Sequence, residues 1–231
     1  MRFLRYGIFV FIVTLLFCSY AHSGESLMDY YPLKNGNIWI YEKEGGIIIK
    51  EEAIVGGDGC SLETTVKIVC SDGSYRCLSV DSEGVKSHKE FGAYDTVIYP
   101  EPLMLFPFDI EDKKSYKGKQ KYLVQEDNAS LEGLNSYEIQ FVGKEDVVVP
   151  AGEFADCIKI LETSSWEEGE TYGADKVFYW LARGIGIVKK VSDGLEYGDS
   201  GRQSSSYSTY EELKLTRAIV DGKVYKKADE E

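Results

Sequence analysis

Gly198-Asp199-Ser200-Gly201 has the most direct chemical reading in this sequence, because Gly-Asp-Ser-Gly surrounds the nucleophile of trypsin-like proteases, and His88 precedes it in their order. A triad also needs a histidine held by a buried Asp and a serine on a rigid turn that builds an oxyanion hole. Here Arg202 follows the motif inside a serine-rich stretch, and His88 lies in Ser87-His88-Lys89-Glu90, which reads as an exposed strand. A short motif without its structural context is weak evidence, and a flexible loop explains Gly198 to Ser208 better. Carboxylates could act as acid and base, but a glycosidase needs two of them roughly 5 to 9.5 Å apart, and no spacing marks such a pair. Glu167, Glu168 and Glu170 sit beside a glycine and read as solvated.

Once an N-terminal signal is set aside, four cysteines remain: Cys60, Cys70, Cys77 and Cys157. Four cysteines allow three pairings. A two-residue turn at Asp72-Gly73 would set residue 70 opposite 75 and leave Cys77 diagonal, a poor disulfide geometry. A longer loop, from Ser71 to Arg76, would bring Cys70 and Cys77 face to face. One bridge within the cluster of Cys60, Cys70 and Cys77 is expected, with Cys157 buried as a small apolar residue. Zinc is disfavoured, since there is no C-x-x-C pair and His88 is the one histidine left beyond the signal. No glycine-rich phosphate loop or dinucleotide fingerprint appears, so no cofactor is expected.

The aromatic content is high, at 17 Tyr, 10 Phe and 3 Trp. Strands and cores absorb most such residues, and a remainder could line a cavity for a lipid-like or other apolar small molecule. Leu103, Leu105, Phe106 and Phe108, with Trp39 and Trp180, are the expected wall.

The elements that must position these residues are short. Strands with Gly, Asp and Asn punctuation are expected at Asn37 to Lys43, Ile47 to Val55, Leu62 to Cys70, Tyr75 to Val80 and Val85 to Phe91, a five-stranded meander. From Tyr99 to Asp109, Pro100, Pro102 and Pro107 argue against a central strand and for a crossing segment between two halves. The second half resumes at Lys119 to Gln125, Asn135 to Val142, Glu145 to Val149, Cys157 to Thr163, Ala174 to Leu181, Gly186 to Ser192 and Tyr210 to Val220. The last is expected to pair with Lys223 to Lys226 over Asp221-Gly222, and Gly152 to take positive φ after Pro150.

The N-terminus has the form of a secretory signal: Arg2 and Arg5, an apolar run from Gly7 to Phe17, then Ala21-His22-Ser23. The run is about a dozen residues, short of the roughly 20 a membrane helix needs. Residues 1–23 are therefore expected to be removed near Ser23, leaving 24–231 as one periplasmic or secreted domain. Lipidation at Cys18 is disfavoured by the bulky Phe17 before it. The formal charge is −13, and −15 without Arg2 and Arg5, which repels nucleic acid.

Three segments resemble a loose group of bacterial envelope proteins, many of them lipoproteins: Tyr31-Pro32-Leu33-Lys34-Asn35-Gly36-Asn37-Ile38-Trp39-Ile40-Tyr41, the run from Val149 to Ile160, and the run from Tyr179 to Lys189. Arg183 stands where that group often has Pro. The resemblance implies an extracytoplasmic antiparallel β-fold with a curved, half-open sheet; together with the strand pattern, the expectation is all-β, an antiparallel meander in two halves (24–98 and 110–231) forming a curved half-open barrel or two-layer sheet. It brings no catalytic residues. The expected function is non-enzymatic: binding an apolar or amphipathic ligand in a sheet cleft, or alternatively serving envelope assembly through contacts with an envelope protein.

Overall fold

The computed structural model describes residues 27–60, 66–126, 129–199 and 204–226. The signal segment, Cys18, and Ser200 and Gly201 of the protease-like string lie outside them. The first half contributes β1 (Ile38–Lys43), β2 (Ile47–Val55), β3 (Val66–Cys70), β4 (Tyr75–Val80), β5 (Gly84–Phe91) and β6 (Thr96–Pro107). A helical turn, α1 (Ile110–Lys113), leads to β7 (Ser115–Glu126), β8 (Ala129–Val149), β9 (Gly152–Glu168), β10 (Thr171–Ala182), β11 (Gly186–Asp199), β12 (Ser204–Val220) and β13 (Lys223–Lys226).

Each strand pairs antiparallel with the next, and β1 closes on β12, from Ile38↔Ile219 to Lys43↔Leu213. The result is a twelve-stranded barrel with β13 added beside β12. Closure leaves few edges to aggregate. One seam is incomplete, because β6 and β7 share only the rungs from Thr96↔Gln125 to Ile98↔Leu123.

That seam explains how β6 holds three prolines, which were expected to make a non-strand crossing. Ile98 pairs with Lys89 and Leu103 with Ser87, so Tyr99-Pro100-Glu101-Pro102 bulges opposite the single residue His88. A proline has no N–H to donate, and a bulge beside an unpaired edge needs none.

Parts of the Gly198 to Ser208 stretch, expected to loop, are strand. β11 and β12 pair out to Gly198↔Ser205 and Asp199↔Ser204. Strand pairing needs only backbone groups, so low apolar content does not prevent it.

A closed core fills one end of the barrel. Leu27 and Tyr30, from a 3-10 turn at Leu27–Tyr30, are 1% and 2% exposed and plug that end. The Gly184 amide donates to the Asp29 carbonyl at 2.7 Å, tying the plug to the β10–β11 turn. Ile68, Leu78, Ile139, Ile158, Ile160, Leu181, Val188 and Leu215 are almost fully buried around it. Burying such side chains contributes roughly 1.5 to 3 kcal/mol each before entropy is charged. Cys157 is buried here too, and burial pushes its thiol up to about 12.

The disulfide joins Cys60 and Cys77. Cys70 is free because the β3–β4 turn fits neither expected register: its amide donates to Ser74 at 2.8 Å, leaving Ser71 to Gly73 as the turn, with Gly73 at φ 89°. Cys77 stands opposite Lys67 and reaches Cys60 from the preceding loop.

Candidate functional site

Period-two alternation decides what faces the barrel interior. On β9 the inward row begins Ile158, Ile160, both fully buried, and continues Glu162, Ser164, Trp166, Glu168. On β11 it runs Val188, Lys190, Ser192, Gly194, and on β4 Leu78 gives way to Arg76. The switch from aliphatic to polar ends the packed core, and above it lies a cavity of about 490 Å³. Its floor is aromatic: Phe106 meets Tyr31 and Tyr179 edge-on, with centroids 5.2 and 5.3 Å apart.

Just above the floor sit Arg76, Glu90, Tyr99, Glu162, Tyr179 and Lys190. Arg76 donates to Glu51 at 3.3 Å. The Glu90 carboxylate accepts from Ser87 at 3.2 Å, and that of Glu162 accepts the Tyr179 hydroxyl at 3.1 Å. Burial holds the Glu162 carboxyl above its usual range, while Tyr179 and Lys190 pull it down. The same burial raises the phenols of Tyr99 and Tyr179.

Nearer the mouth, two rings lie flat on the wall. Tyr122 faces Gly133 across β7 and β8, and Trp166 faces Gly173 across β9 and β10. A methyl group on either glycine would collide with the ring. A glycine opposite an aromatic lets the ring lie along the sheet instead of projecting into the lumen, which keeps the space open. The Trp166 indole N–H donates to Asp175 at 3.0 Å. The Tyr122 hydroxyl meets Glu168, and burial raises that phenol to about 12. Glu168, expected to be solvated, is thus turned inward. Val97, Leu103, Leu105, Val124 and Val177 supply the apolar share of the lining.

Of the expected wall, Leu103 and Leu105 line the cavity. Phe106 lies beneath it in the floor, and Phe108 packs on the core. Trp39 is buried at the closed end, its indole donating to the Ile185 carbonyl at 2.6 Å. Trp180 lies on the face of β10 opposite Tyr179 and donates to Glu145, with Lys159 and Lys189 at 4.8 and 5.0 Å from its ring centre. His88 pairs with Ser79 at 2.7 Å, and burial with nearby Lys86 pulls its pKa down. Among the described residues no group of three or more His, Cys, Asp or Glu side chains is placed to hold a metal ion.

Fold and cavity define an antiparallel β-barrel with an aromatic floor and a charged, partly apolar lumen. The chain belongs to the DUF3108-like family, whose profile matches residues 43–206. No curated protein matches it. Among solved structures it is similar to a lipoprotein candidate from Parabacteroides distasonis (13% identity, 80% of this chain and 98% of the other, TM-score 0.41) and to the hypothetical lipoprotein YmcC of Escherichia coli K12 (11%, 78% and 83%, 0.42). An export candidate with a YmcC-like fold from Bacteroides fragilis shares 14% identity over 85% and 99%, with a TM-score of 0.32. None of these relatives carries an enzymatic assignment.

Proposed function

We propose that this chain works outside the cytoplasm as a non-enzymatic barrel that binds a small amphipathic molecule in its lumen. The observation that carries the reading is the cavity of about 490 Å³ above a closed aromatic floor, polar on β9, β10 and β11 and apolar at Leu103, Leu105 and Val124. A site of this volume suits one small molecule, and a few fixed polar groups in an apolar lining give orientation. The Cys60–Cys77 disulfide agrees with an oxidising compartment, as does the signal-like N-terminus. The outward side chains around β9 to β12 include Lys159, Lys189, Glu212 and Lys214 in ion pairs, unlike the apolar band of a membrane-spanning barrel.

A neutral dye such as N-phenyl-1-naphthylamine tests this. It gains fluorescence with the intact protein and loses most of that gain in a Ser164→Trp variant whose indole fills the lumen. Equal enhancement by both proteins would contradict lumen binding.

The alternative, an assembly accessory acting through protein contacts, draws on a different feature. Ile47, Ile48 and Val148 are 56%, 54% and 73% exposed, and exposed apolar side chains are available for contact with a partner protein. Loss of envelope co-purification partners on changing all three to Ser, with dye binding intact, would favour it.

A further inference from the structure

The charges of the lumen are unevenly distributed. At the floor, Arg76 and Lys190 stand beside Glu90 and Glu162, and Arg76 is also paired with Glu51. Among the described residues the lining toward the mouth carries Asp95, Glu168 and Asp175 and no cation. The neighbouring carboxylates of Glu126, Asp95 and Glu196 repel the charge of Glu168 and, with burial, raise its carboxyl pKa. A low-dielectric cleft lined by one sign of charge concentrates the opposite ion.

The rings occupy the same level. Trp166 is spread over Gly173 with its N–H on Asp175, and Tyr122 over Gly133 with its hydroxyl at Glu168. Pressed to the wall on one side, each ring turns its other face to the lumen, the electron-rich surface that attracts cations. Between them on β8, Asn135 Oδ1 is buried and meets no donor among the described residues, although Asn135 lines the cavity. An ammonium group with N–H or polarised C–H bonds supplies what these groups lack. A sulfate or carboxylate would face three uncompensated carboxylates.

We infer that the lumen recognises an organic cation: an ammonium group seated over the Trp166 and Tyr122 ring faces between Glu168 and Asp175, with the apolar remainder of the molecule against Leu103, Leu105 and Val124. This rests on the lumen-binding reading and adds the ligand's charge class. Choline-like head groups and free alkylamines share this chemistry.

Calorimetry on the chain from Gly24 onward, with three probes of equal tail, separates the two claims: octyltrimethylammonium, octyl glucoside and octyl sulfate, each below micelle formation. The cation should bind at least about tenfold more tightly than the other two, the equivalent of one cation–π or ion-pair contact. Glu168→Gln and Asp175→Asn, which preserve shape, should each weaken the cation about five- to tenfold and weaken the glucoside by less. Trp166→Leu should weaken the cation more than the glucoside, with Trp166→Phe recovering most of the loss for the cation. Octylamine in place of the quaternary probe shows which source is preferred. Equal binding of all three probes, or tighter sulfate, overturns the charge class while the lumen reading stands. Cation binding that ignores both isosteric variants overturns the seat, and no binding by any probe overturns the lumen reading itself.

Discussion

Gly133→Ala is a one-methyl change whose outcome follows from a single contact. The new methyl would point into the Tyr122 ring, whose atoms are its three nearest neighbours. Gly133 does not sit at positive φ, so the alanine backbone itself is unstrained, and reduced freedom of the unfolded chain should stabilise by about 0.4 to 1 kcal/mol. Against this, forcing a methyl into a packed ring costs about 1 to 3 kcal/mol, and a displaced ring carries its hydroxyl away from Glu168. The net expectation is a loss of about 1 kcal/mol. In a Tyr122→Ala background the obstacle is gone, and the same substitution should be neutral or stabilising. Urea unfolding followed by tryptophan fluorescence on all four proteins gives the coupling, expected to be about 2 kcal/mol. If Gly133→Ala costs the same within about 0.5 kcal/mol in both backgrounds, the ring does not rest on that glycine and the account of how the lumen is kept open fails.

The Cys60–Cys77 bridge spans a sequence separation of 17 residues, so Cys60→Ser with Cys77→Ser should cost about 3 kcal/mol in urea unfolding; a loss under about 0.5 kcal/mol would contradict it. Glu162 has a raised carboxyl pKa in the folded chain through burial. Its contribution is therefore full at low pH and is lost as pH rises from the ordinary glutamate range through the folded value. Glu162→Gln removes that loss, so the variant should gain stability over wild type as pH climbs toward 7, seen as a widening gap in midpoint; a gap that narrows reverses the sign. Chromogenic glycosides and esters should not be turned over, and hydrolysis that disappears in both Glu90→Gln and Glu162→Gln would replace the binding role with an enzymatic one.

Much of the fold is legible in residues with strict roles. The β1–β2 and β12–β13 hairpins fall where Gly45, Gly46 and Gly222 permit turns, each at positive φ, and Gly152 takes φ 139° after Pro150 as its position demands. Harder to see was that strands continue where composition turns polar. β9 was expected to stop at Thr163, yet its alternation carries Glu162, Ser164, Trp166 and Glu168 onward in the phase set by Ile158 and Ile160. That phase was the available signal for the lumen: polar residues in register with a buried row face the same interior. Trp39 and Trp180 misled for the opposite reason. Large aromatics attract attention as ligand walls, but one packs in the core and the other is covered outside by two lysine side chains. Closure of β1 on β12 pairs residues nearly 180 positions apart, which no local pattern encodes.

The most direct test of the central claim is native mass spectrometry on protein purified gently from its own envelope, repeated after solvent extraction and on the Ser164→Trp variant. The account predicts a reproducible extractable small molecule on the wild type that the filled lumen cannot carry. A clean apo mass for the wild type, or an adduct held equally by the variant, would contradict it.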